Sequence, residues 1–487
     1  MTQPIDHVAL LPAYLASGTA ILVLLVDLAV ARRTVTAAMA AMGAAATTCG
    51  AFAVGWSGGP RGTFCGDDGC SYVFGPRAAL VAAVFALLTL AVLALSGPLL
   101  RAGQAPAGEY CFLLACSMTG GVVVGAAADL ITLIVALETL TLPLYVLVGL
   151  RRASRASAEG AVTFFVVSVV ATTITLLGAA LLYAVTGAVH LSRLGQMLDG
   201  TSPLLDVPLT AVGTVLVVVG LGFKVAAVPL HAWAPVTYDG APVPVAAYLS
   251  TASKLGGVVA LLAVVQKPLP PAVTGPVLAL LAVLTMTVGN LVALRQTRMV
   301  RLLAWSSVAQ AGYILAPLGA LTLVAEGGID QVGAVRAALA YAVFFVVIEV
   351  AAFGAVIALR PAGADGGLID DYRAAARRHR WVGAAFALAL VGLAGLPPGL
   401  AGLFAKVTVV RSLLADGAGW LAVVVALNAV VGLAYYVRVA ATLYAPTPAT
   451  RPAPRPSWTV AAALAGATAV AVLVGFAPQV VLDAVAG

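Results

Sequence analysis

Three of the four lysines in this 487-residue chain lie inside long apolar runs, where a charge is least expected. They are Lys224, Lys254 and Lys406, whereas the twenty-two arginines lie mainly in polar connecting segments. A guanidinium group stays charged in proteins, but a desolvated amine can lose its proton. The choice of lysine over arginine within apolar sequence therefore predicts a protein that handles protons.

Glu138 places an acid inside another apolar run, LIVALETLTLPLY. A charged side chain at the centre of a bilayer costs about 2.5–3.5 kcal/mol on insertion scales, so Glu138 is expected to have a partner. Lys224 is the natural candidate, because an ion pair would keep the carboxylate ionised and the amine protonated. The alternative is a static ion pair that only fixes helix packing.

Lys254 follows small and hydroxyl-bearing residues in AAYLSTASKLGG, which permit close helix packing and can hold water. No second acid lies at the same depth in its own predicted helix or the preceding one, and desolvation of an unpaired amine favours the neutral form. Lys254 is therefore expected to carry protons, with snorkelling to the membrane interface as the alternative. Lys406 is expected to end the transfer path, unless it snorkels to the outer surface.

Polar side chains lie between these two lysines in LLAWSSVAQAGYIL. They are Ser306, Ser307, Gln310 and Tyr313, and spacings of three and four place several of them on one helix face. On that face they could order a wire of water molecules, although Gln310 cannot store a proton because an amide does not titrate. The alternative is that these groups simply hold membrane helices together.

Glu349, in FFVVIEVAAFG, is a second acid inside an apolar run. Its partner could be Lys254 or Lys406, or it could face a wet pocket, and the sequence does not choose among these. Like the polar residues between the two lysines, it is expected to act as a secondary relay or to orient water. His231 and Trp233 are expected at the membrane interface, because the four histidines show no metal-ligand spacing. No dinucleotide fingerprint, P-loop or iron–sulfur cysteine cluster occurs in the sequence, so we expect no cofactor and no metal in this chain.

Composition identifies an integral membrane protein. The chain is 62% hydrophobic and only 9% charged, against roughly 25% charged residues in soluble domains. Apolar runs of about 20 residues predict helices rather than barrel strands, with lipid around them. The net charge of +7 does not indicate nucleic acid, since loop arginines supply it. Cys65 and Cys70 share one polar loop, CGDDGC, where a disulfide and free thiols are equally expected.

The apolar runs predict an all-α polytopic protein with about fourteen transmembrane helices. With both termini outside, seventeen arginines lie in cytoplasmic loops and six basic residues lie on the opposite side, a positive-inside bias that supports this count and orientation. The predicted helices cover residues 8–30, 36–55, 77–100, 110–127, 129–150, 158–186, 208–230, 243–266, 273–294, 300–322, 331–359, 381–411, 418–443 and 457–482.

Prolines break predicted helices 7 and 12. Pro229 follows Lys224 in GFKVAAVPLHAW, and two prolines precede Lys406 in GLPPGLAGLFAK; each proline removes a backbone donor. Two broken helices five apart predict inverted five-helix repeats, formed by helices 4–8 and 9–13. The predicted units are a three-helix segment over 1–105, a first repeat that forms a proton channel over 106–268, a second repeat over 269–443, and a linker with the last helix over 444–487.

Several segments resemble the antiporter-like membrane subunits of respiratory complex I, over residues from about 110 to 443. The signature is long: GFKVAAVPLHAWAPVTYDGAPVPVAAYLSTASKLGG (222–257), with LETLTLPLY (137–145), LLAWSSVAQAGYIL (302–315) and GLPPGLAGLFAK (395–406) in the same order. The tract from Tyr238 to Pro242 is similar to that of the subunit N branch of NADH:quinone oxidoreductase. The resemblance implies a fourteen-helix fold with two inverted repeats.

The resemblance also implies roles for individual residues. Glu138 and Lys224 match the ion pair of helices 5 and 7, Lys254 matches the central lysine of helix 8, and Lys406 matches the helix 12 lysine that leads outward. Gln310 departs from the pattern, because relatives usually have histidine at this position. Glu349 is unusual for its helix, and no role follows for it from the resemblance.

Partners and location follow from the same resemblance. Such subunits pump protons in the membrane arm of a bacterial complex, driven by quinone reduction elsewhere. Other membrane-arm subunits, one of them a homologous antiporter-like subunit, are the expected partners, and partner subunits are expected to carry FMN and iron–sulfur clusters. The expected location is the bacterial inner (plasma) membrane, with both termini on the periplasmic side. The alternatives are an Mrp-type cation/proton antiporter subunit and a passive assembly scaffold.

Overall fold

Helices dominate the computed structural model, which describes residues 5–151, 154–266, 268–321, 331–361, 363–446 and 455–486. The first half contains α1 (Leu11–Val30), α2 (Arg33–Trp56), α3 (Pro76–Leu95), α4 (Gly97–Arg101), α5 (Ala107–Val124), α6 (Leu130–Val148), α7 (Arg155–Thr186), α8 (Leu191–Met197), α9 (Pro208–Lys224), α10 (Trp233–Gly240), α11 (Val243–Tyr248) and α12 (Lys254–Val265). The second half contains α13 (Pro271–Ala293), α14 (Met299–Leu315), α15 (Gln331–Leu359), α16 (Ala375–Arg378), α17 (Arg380–Ala394), α18 (Leu400–Ala415), α19 (Gly419–Tyr444), α20 (Trp458–Phe476) and α21 (Pro478–Ala486).

The prediction of a helical, polytopic membrane protein is confirmed. Eleven helical segments within the described ranges are long and apolar enough to cross a membrane, and α9 and α17 are shorter apolar helices. Every predicted span overlaps one of the helices given above. The number of membrane crossings, the two inverted repeats and the four-unit division of the chain stay predictions.

One element that the all-α prediction missed is a β-hairpin in the loop after α2. Strands β1 (Arg61–Gly66) and β2 (Gly69–Phe74) pair antiparallel, and a disulfide joins Cys65 to Cys70 across the hairpin. The backbone of Val73 donates a hydrogen bond to the Ala126 carbonyl, and Ala128 donates to the Ser71 carbonyl. The hairpin is thereby held against the connection between α5 and α6, which no local pattern in the sequence indicated.

The break in predicted helix 7 has its freed backbone groups satisfied within the protein. Helix α9 ends at Lys224, and α10 begins at Trp233, with Pro229 between them. The Val228 amide donates to Thr285 Oγ1 of α13 at 2.9 Å, and the Trp233 indole donates to the Phe223 carbonyl at 3.2 Å. These partners matter because an unpaired backbone group in a bilayer costs several kcal/mol. The Trp233 side chain is fully buried against other helices, and its expected place at the membrane interface stays a prediction.

Predicted helices 8 and 12 also depart from a continuous α-helix. Helix 12 is interrupted between Ala394 and Leu400, and Gly395 adopts a left-handed φ of 80° at the end of α17, as is common at a helix C-terminus. Helix 8 contains a π-helical turn at Leu249–Ser253, directly before Lys254, which the sequence did not indicate. Single π turns inside α-helices occur frequently at functional sites.

The two halves of helix 12 pack closely because glycines line their contact. A Cβ atom at Gly402 would overlap the Gly392 carbonyl group of α17, whereas a Cβ atom at Gly466 of α20 would meet nothing within 4 Å. The close approach therefore depends on the missing side chain at Gly402.

We expect Gly402→Ala to destabilise the protein by about 1–3 kcal/mol, because α17 and α18 must move apart to accommodate the methyl group. Gly466→Ala is the matched control, and it should be neutral or slightly stabilising because alanine is favoured over glycine in a helix by about 1 kcal/mol. The midpoint of thermal unfolding in detergent measures both effects. Equal midpoints for the two variants would contradict the packing argument.

Candidate functional site

Glu138 and Lys224 form a direct ion pair between α6 and the end of α9. The Lys224 Nζ atom lies 2.8 Å from Glu138 Oε1, with side-chain exposures of 5% for the lysine and 23% for the glutamate. Helix α6 begins where Asp129 caps it, since the Asp129 carboxylate accepts a hydrogen bond from the Thr132 amide at 2.7 Å. The pairing predicted from the sequence is therefore present in the structure.

Hydroxyl groups complete the surroundings of this ion pair. Lys224 Nζ also donates to Thr141 Oγ1 and to Ser168 Oγ, each at 3.1 Å. Thr172 donates to Glu138 Oε1 at 2.6 Å, and Tyr145 donates to Ser168 Oγ at 2.6 Å. A buried charge pair is tolerated when further hydrogen bonds satisfy its remaining donors and acceptors. None of these four hydroxyl groups was predicted from the sequence.

Lys254 is enclosed between α12 and α14. Its side chain is almost fully buried, and Nζ donates to the backbone carbonyl of Ser307 at 2.5 Å. The amine does not reach an interface, so the snorkelling alternative does not apply. The contribution of Ser307 to this contact is its carbonyl oxygen rather than the hydroxyl group that the sequence suggested.

Glu349 reaches the same region from α15. It is fully buried, and neither carboxylate oxygen has a hydrogen-bond partner among the described residues. Glu349 interacts electrostatically with Lys254, with Tyr238 of α10 and with Tyr436 of α19. The choice between Lys254 and Lys406 as its partner stays open, because α15 packs against α12 and against α18.

Gln310 lies at the centre of a hydrogen-bonded cluster in the second half of the chain. Its amide nitrogen donates to Tyr436 Oη and to the Leu393 carbonyl, both at 3.0 Å, and its amide oxygen accepts from Tyr341 Oη at 2.5 Å. Ser306 shares a hydrogen bond of 2.5 Å with Tyr436. Ser306 and Gln310 thus lie on one helix face, as their spacing predicted.

Lys406 points inward, toward the end of α17. Its Nζ atom donates to the carbonyls of Leu393 at 3.1 Å and Ala394 at 2.6 Å, and it lies 5.0 Å from the centre of the Tyr313 ring. The last carbonyls of a helix lack intrahelical donors and carry a partial negative charge, so they stabilise a cation. Gln310 and Lys406 both donate to the Leu393 carbonyl. These two predicted site residues are therefore connected through one backbone oxygen.

Four residues that were not predicted from the sequence complete this cluster: Asn290, Tyr341, Tyr435 and Tyr436. Tyr313 Oη accepts a hydrogen bond from Asn290 Nδ2 at 3.1 Å, and Tyr435 donates to Asn290 Oδ1 at 3.0 Å. Tyr341 and Tyr436 hold Gln310, as described above. The available signal was weak, because a tyrosine in an apolar run is as common at the membrane interface as in a polar cluster.

Asp239, the acid of the Tyr-Asp-Gly-Ala-Pro tract, has a structural partner. Arg298 Nε lies 2.7 Å from Asp239 Oδ2, and Arg298 Nη2 lies 2.9 Å from Asp365 Oδ2. Burial would raise the pKa of Asp365, but hydrogen bonding and charge from Arg298, with added charge from Arg360 and Arg151, hold that pKa below its usual value. Arg298 therefore ties the start of α14 to both the end of α10 and the loop before α16.

The described residues contain no group of three or more His, Cys, Asp and Glu side chains that could hold a metal ion. The polar groups in the interior are instead amines, carboxylates, hydroxyls and carbonyls in hydrogen-bond contact. Amines and carboxylates bind and release protons, whereas hydroxyls and carbonyls bind water. The arrangement can therefore transfer protons, given a hydrated connection between its members.

Comparison with known proteins agrees with this fold. Residues 127–432 match the family described as NADH:quinone oxidoreductase/Mrp antiporter, TM. The NADH-quinone oxidoreductase subunit N of Salinispora tropica is 68% identical, over 99% of this chain and 99% of that protein. A chain of respiratory complex I from Thermus thermophilus is 27% identical, with a TM-score of 0.80 over 98% of this chain and 100% of that chain.

A broken-helix bundle with intramembrane lysines and a Glu–Lys pair defines an antiporter-like membrane subunit. Within that class, the chain belongs to the NADH-quinone oxidoreductase subunit N family, as the identity over nearly its whole length shows. The Mrp complex from Dietzia sp. shares the fold, with a TM-score of 0.83 over 98% of this chain and 96% of that chain, but only 21% identity. The family prediction is confirmed, and the Mrp alternative is not favoured.

We expect the Glu138–Lys224 pair to show strong coupling in unfolding experiments. Glu138→Leu alone should destabilise the protein by about 3 kcal/mol, because it leaves a buried ammonium group without its partner. Glu138→Leu combined with Lys224→Met should be much closer to wild type, since neither charge remains. The thermal unfolding midpoint of the purified protein distinguishes these cases. A double variant as unstable as the single variant would refute the coupling.

Proposed function

We propose that this chain is a proton-translocating membrane-arm subunit of a bacterial NADH:quinone oxidoreductase, with Glu138, Lys224, Lys254 and Lys406 as its proton relay. The observation that carries the proposal is the enclosure of all three amines inside the bundle. Each amine is bonded to groups of the protein, and Lys406 shares the Leu393 carbonyl with Gln310. The chain lies in the plasma membrane with both termini outside.

The relay begins at Lys254, which takes up a proton from the cytoplasmic side. A change in the Glu138–Lys224 pairing then alters the electrostatic potential at Lys254, since Gly257, one turn after Lys254, lies against the backbone of Lys224. The proton moves toward Lys406 and leaves on the outer side. Ser306, Ser307, Gln310 and Tyr313 orient water or fix geometry along this path.

The electrostatic energies are of the required size. Moving one elementary charge against 100 mV costs about 2.3 kcal/mol. Two elementary charges about 8 Å apart interact by about 2 kcal/mol at an effective dielectric constant of about 20. The gain or loss of one elementary charge at that distance from Lys254 would therefore supply an energy comparable to the cost of moving one proton against the membrane potential.

A partner subunit should cover the face of α6 on which Glu138 lies. Glu138 falls in line with Ile131, Val135, Leu142 and Val146, each of which is more than half exposed. A partly exposed carboxylate in an apolar stripe is costly against lipid, and a homologous antiporter-like subunit with polar groups is the occupant we infer. FMN, the iron–sulfur clusters and the quinone site belong to other subunits of the complex in this proposal.

The relay is tested by Glu138→Gln and Lys254→Ala in the assembled complex. Both variants should abolish NADH-driven proton pumping into proteoliposomes, because one removes the controlling charge and the other the proton carrier. Electron transfer from NADH to a soluble acceptor should survive in both, since no redox group is disturbed. Pumping is followed with a pH-sensitive dye, and electron transfer by NADH oxidation.

Glu159→Gln serves as the control, because it removes a carboxylate that is exposed near the start of α7. This variant should pump at the wild-type proton-to-electron ratio. Normal pumping in both Glu138→Gln and Lys254→Ala would show that the assigned residues are not a relay, and a passive scaffold would then be the better account.

A further inference from the structure

Glu349 is a buried acid that is not part of the four-residue relay proposed above. It lies on α15, which packs against α11, α12, α14 and the π-helical turn before Lys254. Both carboxylate oxygens are buried and have no hydrogen-bond partner among the described residues. A purely structural carboxylate at this depth would be expected to accept hydrogen bonds, because an unsatisfied buried charge is costly.

The position of Glu349 joins the two halves of the proposed path. On one side it interacts electrostatically with Lys254 and Tyr238. On the other side it interacts with Tyr436, which bonds to Ser306 and to Gln310. The helix of Glu349, α15, packs against α12, which begins at Lys254, against α14, which carries Gln310, and against α18, which carries Lys406.

From that cluster the connection continues to Lys406. Gln310 donates to the Leu393 carbonyl, and Lys406 donates to the same oxygen. Neither an amide nor a backbone carbonyl stores a proton at ordinary pH. Glu349, by contrast, is a fully buried carboxylate on a helix that packs against the helices of both lysines.

We propose that Glu349 is the proton carrier between Lys254 and the Gln310–Lys406 cluster. This proposal rests on the relay assigned above and adds the residue that completes it. In the first step the Lys254 ammonium gives one proton, through a water molecule, to the Glu349 carboxylate. The products are a neutral amine and a neutral carboxylic acid. In the second step Glu349 passes the proton toward a neutral Lys406 and becomes a carboxylate again.

The first step can be controlled by a nearby charge because it neutralises Lys254 and Glu349 at the same time. Lys254 and Glu349 have opposite charges before the transfer and none after it, so the desolvation cost of two ions is relieved while their attraction is lost. These effects oppose each other, which keeps the two protonation states close in free energy. A small change in the potential from Lys224 can then decide which state is populated.

A static counter-charge for Lys254 is the competing explanation for Glu349, and it makes different predictions. A counter-charge needs only to remain ionised, whereas a carrier must take up and release a proton during turnover. The test must therefore measure the protonation of Glu349. It must also ask whether another titratable group nearby can replace Glu349. Gln310 offers that second site, because it contacts Tyr436, which interacts with Glu349.

The experiment uses the assembled complex in proteoliposomes, with NADH-driven pumping and NADH oxidation measured together. Glu349→Gln, which keeps the shape of the side chain but cannot titrate, should abolish pumping and leave electron transfer to a soluble acceptor intact. Glu349→Gln combined with Gln310→His should regain pumping, because imidazole supplies a titratable group at the junction. Glu159→Gln is the matched control and should behave as wild type.

Infrared difference spectroscopy provides a second readout, which detects the protonated acid directly. Turnover should produce the carbonyl stretching band of a protonated carboxylic acid. This band should shift in Glu349→Asp and keep its wild-type position in Glu159→Gln. Undiminished pumping by Glu349→Gln would overturn the proposal. The proposal would also fail if Glu349→Gln stopped pumping, Gln310→His did not restore it, and wild type showed no band of a protonated acid. If Lys254→Ala also pumps normally, the whole relay fails; if only Glu349→Gln does, Glu349 alone is excluded.

Discussion

The stabilisation of ammonium groups away from water is the constraint that shapes this protein. Three lysines lie inside an apolar bundle, and each must find acceptors there, since an unpaired ion in a low-dielectric interior is costly. The break in helix 12 supplies acceptors directly, because the last carbonyls of α17 have lost their helical donors and face Lys406. The interrupted helix and the buried amine therefore satisfy each other.

The three amines differ in their hydrogen-bond acceptors, and this difference fits the different roles proposed for them. Lys224 has a carboxylate and two hydroxyl groups as acceptors, Lys254 has one carbonyl, and Lys406 has two carbonyls and an aromatic ring. A carboxylate holds an ammonium group in its charged form more firmly than neutral dipoles do. Lys224 is therefore suited to exert a controlling charge, while Lys254 and Lys406 are suited to exchange protons.

The class and family of the protein could be predicted from the sequence, and so could the ion pair. Charge inside apolar runs is rare and costly, so Glu138, Lys224, Lys254 and Lys406 stood out from their surroundings without any structure. The prolines of helices 7 and 12 likewise predicted breaks that the structure contains. The β-hairpin, the π-helical turn before Lys254 and the burial of Trp233 were missed, because each depends on contacts with distant segments.

The sequence by itself determined which residue types lie within the membrane. The length of an apolar run and the cost of burying a charge in it are local properties of the chain. Only the tertiary structure decided which of them meet. The carbonyls of Leu393 and Ser307 and the tyrosines around Gln310 are brought to their partners by helices far apart in sequence. Backbone acceptors have no identity in a sequence, since every residue carries one, so packing alone selects those that hold the lysines.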